Sequence, residues 1–406
     1  MTTASPATPL AAPLAAKARA TLIAMSLGNF MVGIAAFVVL GLMTTIARSL
    51  QIDPSEGARL ITFYAVAYAI GSPLLVAGTG RLPRRAVVTV AMLLVALGSL
   101  GCAVLPSLGG MELARIVTAI GAGLYSPATA AIAVSLVPPE RRGWALSQVF
   151  MGFTAAQGIG NATGTWLGYS FGYQWTFLIV AVLSLAMSAA VWRTVPAETA
   201  FRPSSLIELA KILKTPHLLV ALLFTVFFAG STYVTITYLA LILERRAGLS
   251  GNAISLVLLI YGVMAFVAAV VSGPATDRFG ASRFLLGLCT CLVVLLPLVT
   301  QGPTDPVLLT VVLATWSLLG WSHFPAQQTR LVEIDPPQAQ LLLALNSSML
   351  YVGIAVGSLL AGHLLPIPEF YGLAIGAEVM ILLAILTLLL GDRMVARRTD
   401  AQLGKA

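Results

Sequence analysis

The sequence predicts an all-α integral membrane protein with twelve transmembrane helices in two parallel six-helix repeats. Three observations lead to this fold class. Only 9% of the 406 residues are charged while 58% are hydrophobic, twelve apolar runs are long enough to cross a bilayer, and the two halves of the chain share short motifs. Soluble domains carry about 25% charged residues. The composition therefore excludes soluble enzymes, secreted disulfide scaffolds and nucleic-acid binders.

The twelve apolar runs, numbered here as spans 1 to 12, define the predicted helices. About 20 apolar residues cross the hydrocarbon core, and such runs must be helical because lipid offers no partner for free peptide groups. Short polar breaks containing Gly or Pro separate the spans. The spans cover residues 21–46, 59–79, 85–105, 110–137, 146–170, 173–195, 217–243, 251–276, 282–300, 306–328, 339–365 and 369–391.

The positions of lysine and arginine predict which side of the membrane each loop faces. Of the 23 cations, 18 lie in the two tails and in every second loop, and Arg115 lies inside span 4. The alternate loops hold only Arg48, Arg59, Arg245 and Arg246. Because cytoplasmic loops are enriched in Lys and Arg, we expect both termini to be cytoplasmic. The net charge of +8 then reflects topology, with the lipid bilayer and no nucleic acid as partner.

Motifs recur about 198 residues apart, which indicates two copies of a six-helix unit. Residues 80–85 after span 2 match 277–283 after span 8, and the Pro-Pro pair at 138–139 matches that at 336–337. Residues 1–20 lack a signal-peptide cleavage site, so span 1 should stay in the protein. The sequence therefore predicts a cytoplasmic tail (1–20), a first six-helix bundle (21–195), a cytoplasmic linker (196–216), a second six-helix bundle (217–391) and a second cytoplasmic tail (392–406). The linker should contain an amphipathic helix, which is either a connector or a regulatory element.

Taken together, the motifs resemble the major facilitator superfamily, especially its drug:proton antiporters similar to bacterial sugar and nucleoside efflux permeases. The resemblance covers about residues 21–391. Its carriers are residues 28–30 and 37–41 of span 1, the two loop motifs, Arg115 with Gly121 and Gly123, Gly160 and Gly164, and residues 345–348 and 353–357 of span 11.

The resemblance implies a secondary active transporter of the bacterial inner membrane that exports a small organic solute, such as a drug, sugar or nucleoside-like compound, in exchange for protons. Alternating access in such folds comes from rocking of two bundles around a central site. The alternatives are an uptake symporter or facilitator, and a lipid-handling transporter or membrane sensor on the same scaffold. The chain has no phosphate-binding loop that would indicate ATP. We expect no cofactor, no enzymatic activity and a monomer.

The loop after span 8 fits the family motif, which implies a conformational latch. Gly273 permits close helix approach, Gly280 permits a tight turn, and Asp277 with Arg278 would contact a neighbouring helix N-terminus in one state only. Gly80 replaces the matching acid in the first half, so the latch there is weakened. The alternative is that these residues only end helices and obey the positive-inside rule.

Arg115 is placed inside span 4, where a charge costs roughly 2.5–3.5 kcal/mol on insertion scales. It should therefore face a cavity and have a partner. Glu112, three residues earlier, shares its helical face. The resemblance implies that Arg115 organises a proton or substrate site, and the alternative is a static ion pair.

Three membrane-embedded groups could carry a proton: Glu112, His323 and Glu378. An unperturbed histidine titrates near pH 6.5, so His323 could load and release a proton, although a histidine near a helix end is more often a satisfied structural group. Glu378 lies in span 12, which should face away from the pore.

Polar and aromatic residues within the pore-lining spans predict the substrate cavity. Each could instead make an interhelical hydrogen bond of about 1 kcal/mol. A cavity of aromatic rings and amides suits a neutral or amphipathic solute. The predicted residues are Asn29, Tyr64, Tyr68, Gln157, Asn161, Tyr233, Tyr261, Trp316, Asn346 and Tyr351.

Span 5 carries a glycine strip at Gly160, Gly164 and Gly168 that predicts close helix packing. Ala162 stands where the family motif has proline, so no proline kink is expected. The three cysteines lie in spans 3 and 9 without metal-ligand company, and we expect no metal site.

Overall fold

The described residues are 16–80, 82–138, 142–196 and 206–402, in a computed structural model, and every regular element in these ranges is helical. In the first half of the chain the helices are α1 (Ala16–Leu50), α2 (Pro54–Gly78), α3 (Arg84–Val104), α4 (Leu108–Ser135), α5 (Arg142–Ala155), α6 (Asn161–Phe171) and α7 (Tyr173–Thr194). A π-helical segment, Ala156–Gly160, joins α5 to α6.

The second half begins with a short helix in the linker and continues with long helices. They are α8 (Leu206–Leu213), α9 (Pro216–Ile236), α10 (Leu239–Ala247), α11 (Gly251–Phe279), α12 (Ala281–Gln301), α13 (Pro306–Ile334), α14 (Ala339–Leu364) and α15 (Tyr371–Gln402). Single 3-10 turns, Pro336–Gln338 and Pro368–Phe370, precede α14 and α15.

The predicted all-α membrane fold is confirmed. Within the described ranges, eleven helical stretches are long and apolar enough to cross a membrane, α9 and α10 forming one of them. Span 5 corresponds to α5, the π segment and α6 together. The α-helical hydrogen bonds of this span are interrupted at the π segment. The span has no proline, as expected, but it is still not a regular α-helix.

The long helices pack in two groups. Helices α1 to α7 contact one another, as do α9 to α15, and the groups meet where α2 packs on α14 and where α11 packs on α5, the π segment and α6. The boundaries of the predicted bundles and tails stay a prediction. Part of the predicted linker, 197–205, lies outside the described residues, as do the N-terminal residues 1–15.

The linker helix α8 packs on protein through Ile212. Ile212 is buried in a cluster with leucines of α9, α13 and α14, including Leu222, Leu331 and Leu342. Lys211 and Lys214 on the other side are exposed. The linker helix is thereby fixed to the second group of helices.

Polar contacts between the two groups lie at one end of the molecule, where α1 ends and α2 begins; we call this the closed end. Arg48 of α1 pairs with Glu244 of α10. Thr62 of α2 and Ser358 of α14 share a hydrogen bond of 2.8 Å between their hydroxyls. Nearby, the Tyr238 hydroxyl donates to a backbone carbonyl of α2, at 2.9 Å.

Glycines bring the backbones of the two groups into contact at the level of the π segment. A Cβ atom on Gly262 of α11 would overlap the Cα of Gly158 in the π segment. The two groups therefore touch backbone to backbone at this level, in addition to their polar contacts at the closed end.

Gly262→Val should disfavour this arrangement, because the added side chain overlaps backbone that cannot move aside. Overpacking costs about 1–3 kcal/mol, so we expect roughly a fivefold or larger fall in the rate of disulfide formation between Thr62→Cys and Ser358→Cys, measured in a background without the native cysteines. The matched control is Gly287→Val, whose Cβ meets nothing within 4 Å. Equal rates for the two valine variants would contradict the glycine contact.

Candidate functional site

A cavity of about 250 Å³ lies between the two groups of helices. About half of the described residues on its wall carry an aromatic ring, and both groups contribute them. Its polar side-chain groups are hydroxyls, one amide, one indole and one imidazole. No Asp, Glu, Lys or Arg lines it among the described residues. The predicted residues on its wall are Tyr68, Gln157, Tyr233, Tyr261, His323 and Tyr351.

The ring stack of Tyr68 and Tyr351 closes the cavity on the side of α2 and α14. Their centroids are 3.6 Å apart with nearly parallel planes, and Tyr64 lies against both, at 6.4 and 6.2 Å. The hydroxyl of Tyr64 is buried without a hydrogen-bond partner in the described structure. Tyr64 therefore supports the cavity wall from behind and does not line it.

Two predicted cavity amides, Asn29 and Asn346, are used in helix packing instead. Asn29 donates to Thr129 of α4 at 3.1 Å and accepts from Ser126 at 2.8 Å. Asn346 accepts from Thr225 of α9 at 2.5 Å. Both asparagines are fully buried, because a polar group inside a bundle is most stable with a partner on the next helix.

Trp316 and Asn161 also lie off the main cavity. Trp316 is buried behind Tyr261, with ring centroids 5.5 Å apart. Asn161, at the start of α6, lines a smaller pocket next to the cavity. The wall also contains Phe150 and Phe153 of α5, which sequence reasoning missed because an apolar side chain in an apolar span carries no signal of its orientation.

Arg115 is 1% exposed, and its guanidinium is held by backbone carbonyls. It donates to the carbonyls of Ala35 and Ala36 in α1, the latter at 2.8 Å, and to that of Leu60 in α2 at 3.2 Å. The guanidinium carbon lies 4.2 Å from the centroid of the Tyr64 ring. Arg115 therefore joins three helices and contacts the ring that supports the tyrosine stack.

Glu112 does not pair with Arg115, although the two share a helical face. Its carboxylate pairs with Arg59 of α2, at 2.7 Å from Nε. The Arg59 side chain is 49% exposed, which places this pair near the surface of the closed end. The expected partner of Arg115 is replaced by carbonyl dipoles, because its long side chain reaches α1.

His323 of α13 stacks on Phe228 of α9, with centroids 3.9 Å apart. Its Nδ1 lies 2.5 Å from the Gly320 carbonyl oxygen, so Nδ1 carries the proton and donates. Nε2 is buried and has no hydrogen-bond partner in the described structure. The imidazole is thus neutral as placed here, at the wall of the cavity.

The remaining predicted ionisable residues lie away from the cavity. Asp277 and Arg278 are exposed at the end of α11, and in the described chain Asp277 has no hydrogen bond or ion pair. Arg278 lies over the ring of Phe279, at 5.4 Å. Glu378 of α15 has a buried Oε1 without a hydrogen-bond partner among the described residues. The predicted latch contact of Asp277 is absent from this conformation.

Arg330 is a second buried cation, which the sequence assigned to a loop. The helix α13 continues through it to Ile334. Its guanidinium pairs with Asp392 of α15 at 2.8 Å, and Gln327 on the same face donates to the Ala221 carbonyl at 2.9 Å. The spacing of Gln327 and Arg330 could have indicated one buried polar face.

Arg115→Lys should weaken the junction of α1, α2 and α4, because an ammonium cannot reproduce the guanidinium fork. Hydrogen bonds to charged groups contribute about 1.5–3 kcal/mol, so we expect a lower melting temperature in detergent micelles and impaired function with normal membrane insertion. The matched control is Arg59→Lys, which alters a half-exposed ion pair that contributes about 0–1 kcal/mol to stability. Equal melting temperatures for the two variants would contradict the role of the three carbonyls.

Comparison with known proteins assigns the family. The model of the Major Facilitator Superfamily matches residues 25–340 and 230–405. The uncharacterized MFS-type transporter YbcL of Bacillus subtilis is 31% identical over 338 residues, covering 83% of this chain and 87% of that protein. The inner membrane transport protein YdhP of Escherichia coli is 27% identical, covering 84% and 87%.

Another relative agrees with this assignment, and a solved structure shows the same fold. The chloramphenicol resistance protein of Streptomyces lividans is 28% identical, covering 81% of this chain and 85% of that protein. The crystal structure of the nucleoside transporter NupG superposes with a TM-score of 0.71 at 12% identity, covering 94% of this chain and 99% of that one. This chain is a multi-pass membrane protein with the twelve-helix transporter fold, and it belongs to the major facilitator superfamily.

Proposed function

We propose that the protein exports a small uncharged organic solute in exchange for protons by alternating access. The observation that carries this proposal is the cavity between the two groups of helices, closed at one end, lined by aromatic rings and without a charged side chain in the described structure. An ion would lose its hydration there without gaining a counter-charge. Two relatives named as an inner membrane transport protein and a chloramphenicol resistance protein support transport and export.

The distribution of Lys and Arg supports an orientation in the inner membrane with both termini cytoplasmic. In that orientation the closed end faces outwards, and the conformation described here opens inwards. The solute would enter from the cytoplasm, and the two groups would then rock about their contact. Asp277 and Arg278 would form their latch when the open end closes, which agrees with their exposure in this state.

His323 is the proposed proton carrier. As placed, its Nε2 is buried without a partner in the described chain, so a proton on it would be unstable. When the opposite conformation brings water to Nε2, the imidazole would take a proton from outside, and it would release that proton as Nε2 is buried again on the inside. Arg115 and Glu112 would act at a distance, by holding the helices against which the tyrosine stack rests.

Export is tested by the accumulation of labelled chloramphenicol in a host lacking its own efflux pumps. We expect expressing cells to hold several-fold less label than cells with an empty vector, and a protonophore should abolish the difference. Export that persists without a proton gradient would contradict antiport. Greater accumulation in expressing cells would instead favour the uptake alternatives.

His323→Gln should separate solute binding from proton coupling, because glutamine keeps hydrogen-bonding capacity but does not titrate. In proteoliposomes we expect downhill solute flux to persist while uphill flux driven by a pH gradient is lost. The matched control is His363→Gln: His363 also bonds a carbonyl of its own helix, at 2.9 Å, but is exposed and lies off the cavity. Gradient-driven flux unchanged by His323→Gln would remove His323 from the mechanism.

A further inference from the structure

A small pocket of about 30 Å³ adjoins the central cavity. The two share Phe37, Gln157, Tyr233, Tyr261 and Trp321 in their walls, so the pocket is continuous with the cavity. Its additional residues, among them Gly41 of α1, Asn161 of α6 and Leu258 of α11, lie about one turn nearer the closed end on their helices. The pocket is thus a recess at the closed-end side of the cavity.

The recess differs from the cavity in its polar groups. The Oδ1 of Asn161 is buried and lacks a hydrogen-bond partner in the described structure. Within the same described ranges, the amide of Gln157 and the hydroxyl of Tyr233 also make no hydrogen bond. Gln157 and Tyr233 thus present to the recess polar groups that no atom of the described chain satisfies, so their hydrogen-bonding capacity is available to a group bound there.

The backbone positions these groups firmly. Gln157 lies in the π segment and Asn161 follows it by four residues, so both side chains share one helical face. Gly158, between them, packs against the backbone of Gly262, which fixes the face that Gln157 and Asn161 present. Single π turns occur frequently at functional sites.

The size of the recess limits what it can hold. A water molecule needs about 10–15 Å³ of such volume, so 30 Å³ holds one or two waters, or a group as compact as a hydroxyl. The adjoining cavity of about 250 Å³ is lined in large part by rings and suits an aromatic body. A solute with one polar tip and one apolar body would then place its tip in the recess and its body in the cavity.

We propose that the recess is a head-group subsite: it binds a hydroxyl-sized hydrogen-bonding group of an uncharged solute whose aromatic body occupies the central cavity. This inference rests on the proposed function, because it assigns the chemistry of the transported solute. Gln157 and Tyr233 each donate a hydrogen bond to the head group or accept one from it, and Asn161 lines the same recess. A carboxylate or ammonium head is rejected, since the recess offers no opposite charge.

Binding of matched probes to the purified full chain in detergent micelles tests the subsite. The probes are 2-naphthol, 2-methylnaphthalene, which replaces the hydroxyl by a methyl group of similar size, and the anion 2-naphthoate. The measured quantity is the ratio of affinities for the first two, from competition against tritiated 2-naphthol in a scintillation proximity assay. Because micelle partitioning affects every variant equally, the change in this ratio between variants reports the subsite alone.

We expect wild-type protein to prefer 2-naphthol by roughly tenfold, since leaving buried polar groups unpaired costs about 1–3 kcal/mol. The double variant Gln157→Leu with Tyr233→Phe should reduce this preference to within about twofold of unity. Matched controls are Gln174→Leu and Tyr371→Phe, both exposed positions away from the cavity.

Three results would overturn the subsite: an unchanged ratio in the double variant, binding of 2-naphthoate as tight as that of 2-naphthol, or binding of neither neutral probe. The assay needs no proton gradient. Export that proves independent of protons would therefore leave the subsite standing, whereas proton-driven export with an unchanged ratio would overturn the subsite alone.

Discussion

Lipid provides no hydrogen-bond partner, and this constraint determines where the polar side chains of this protein lie. Arg115 satisfies its guanidinium with carbonyls of two neighbouring helices, and Asn29 bonds to two hydroxyls of α4. Each contact links helices that apolar packing alone would leave free to slide in lipid. Against this background of paired groups, the unpaired polar groups that belong to residues lining the cavity or its recess, such as His323 and Gln157, become candidates for function.

Close backbone approach decides where the two groups of helices meet. Gly158 and Gly262 lack the side chains that would hold α11 away from the π segment, and polar pairs such as Thr62 with Ser358 join the groups at the closed end. Beside this contact, the rings of Phe153, Tyr261 and Trp321 line the space between the groups. Glycines that let the backbones touch and rings that hold them apart at nearby positions therefore produce the cavity.

The electrostatic character of the cavity follows from the placement of charge elsewhere. The ion pairs described, Arg48 with Glu244, Arg59 with Glu112 and Arg330 with Asp392, all lie off the cavity wall. With His323 neutral, the solute meets rings, hydroxyls and an amide. An uncharged solute and the neutral imidazole of His323 can thus share the cavity, because neither of them requires a fixed charge of opposite sign.

The sequence by itself determined the fold class, because hydrophobic length and the absence of hydrogen-bond partners in lipid leave only helices, and it located Arg115 as a buried charge. It could not assign partners. Glu112 shares a face with Arg115 yet pairs with Arg59, Arg330 lies inside α13 and not in a loop, and Asn29 and Asn346 serve packing. Helical spacing specifies which residues share a face, whereas the rotation of each helix against its neighbours decides what that face contacts. Only the tertiary structure fixed those rotations, and with them the aromatic cavity and its polar recess.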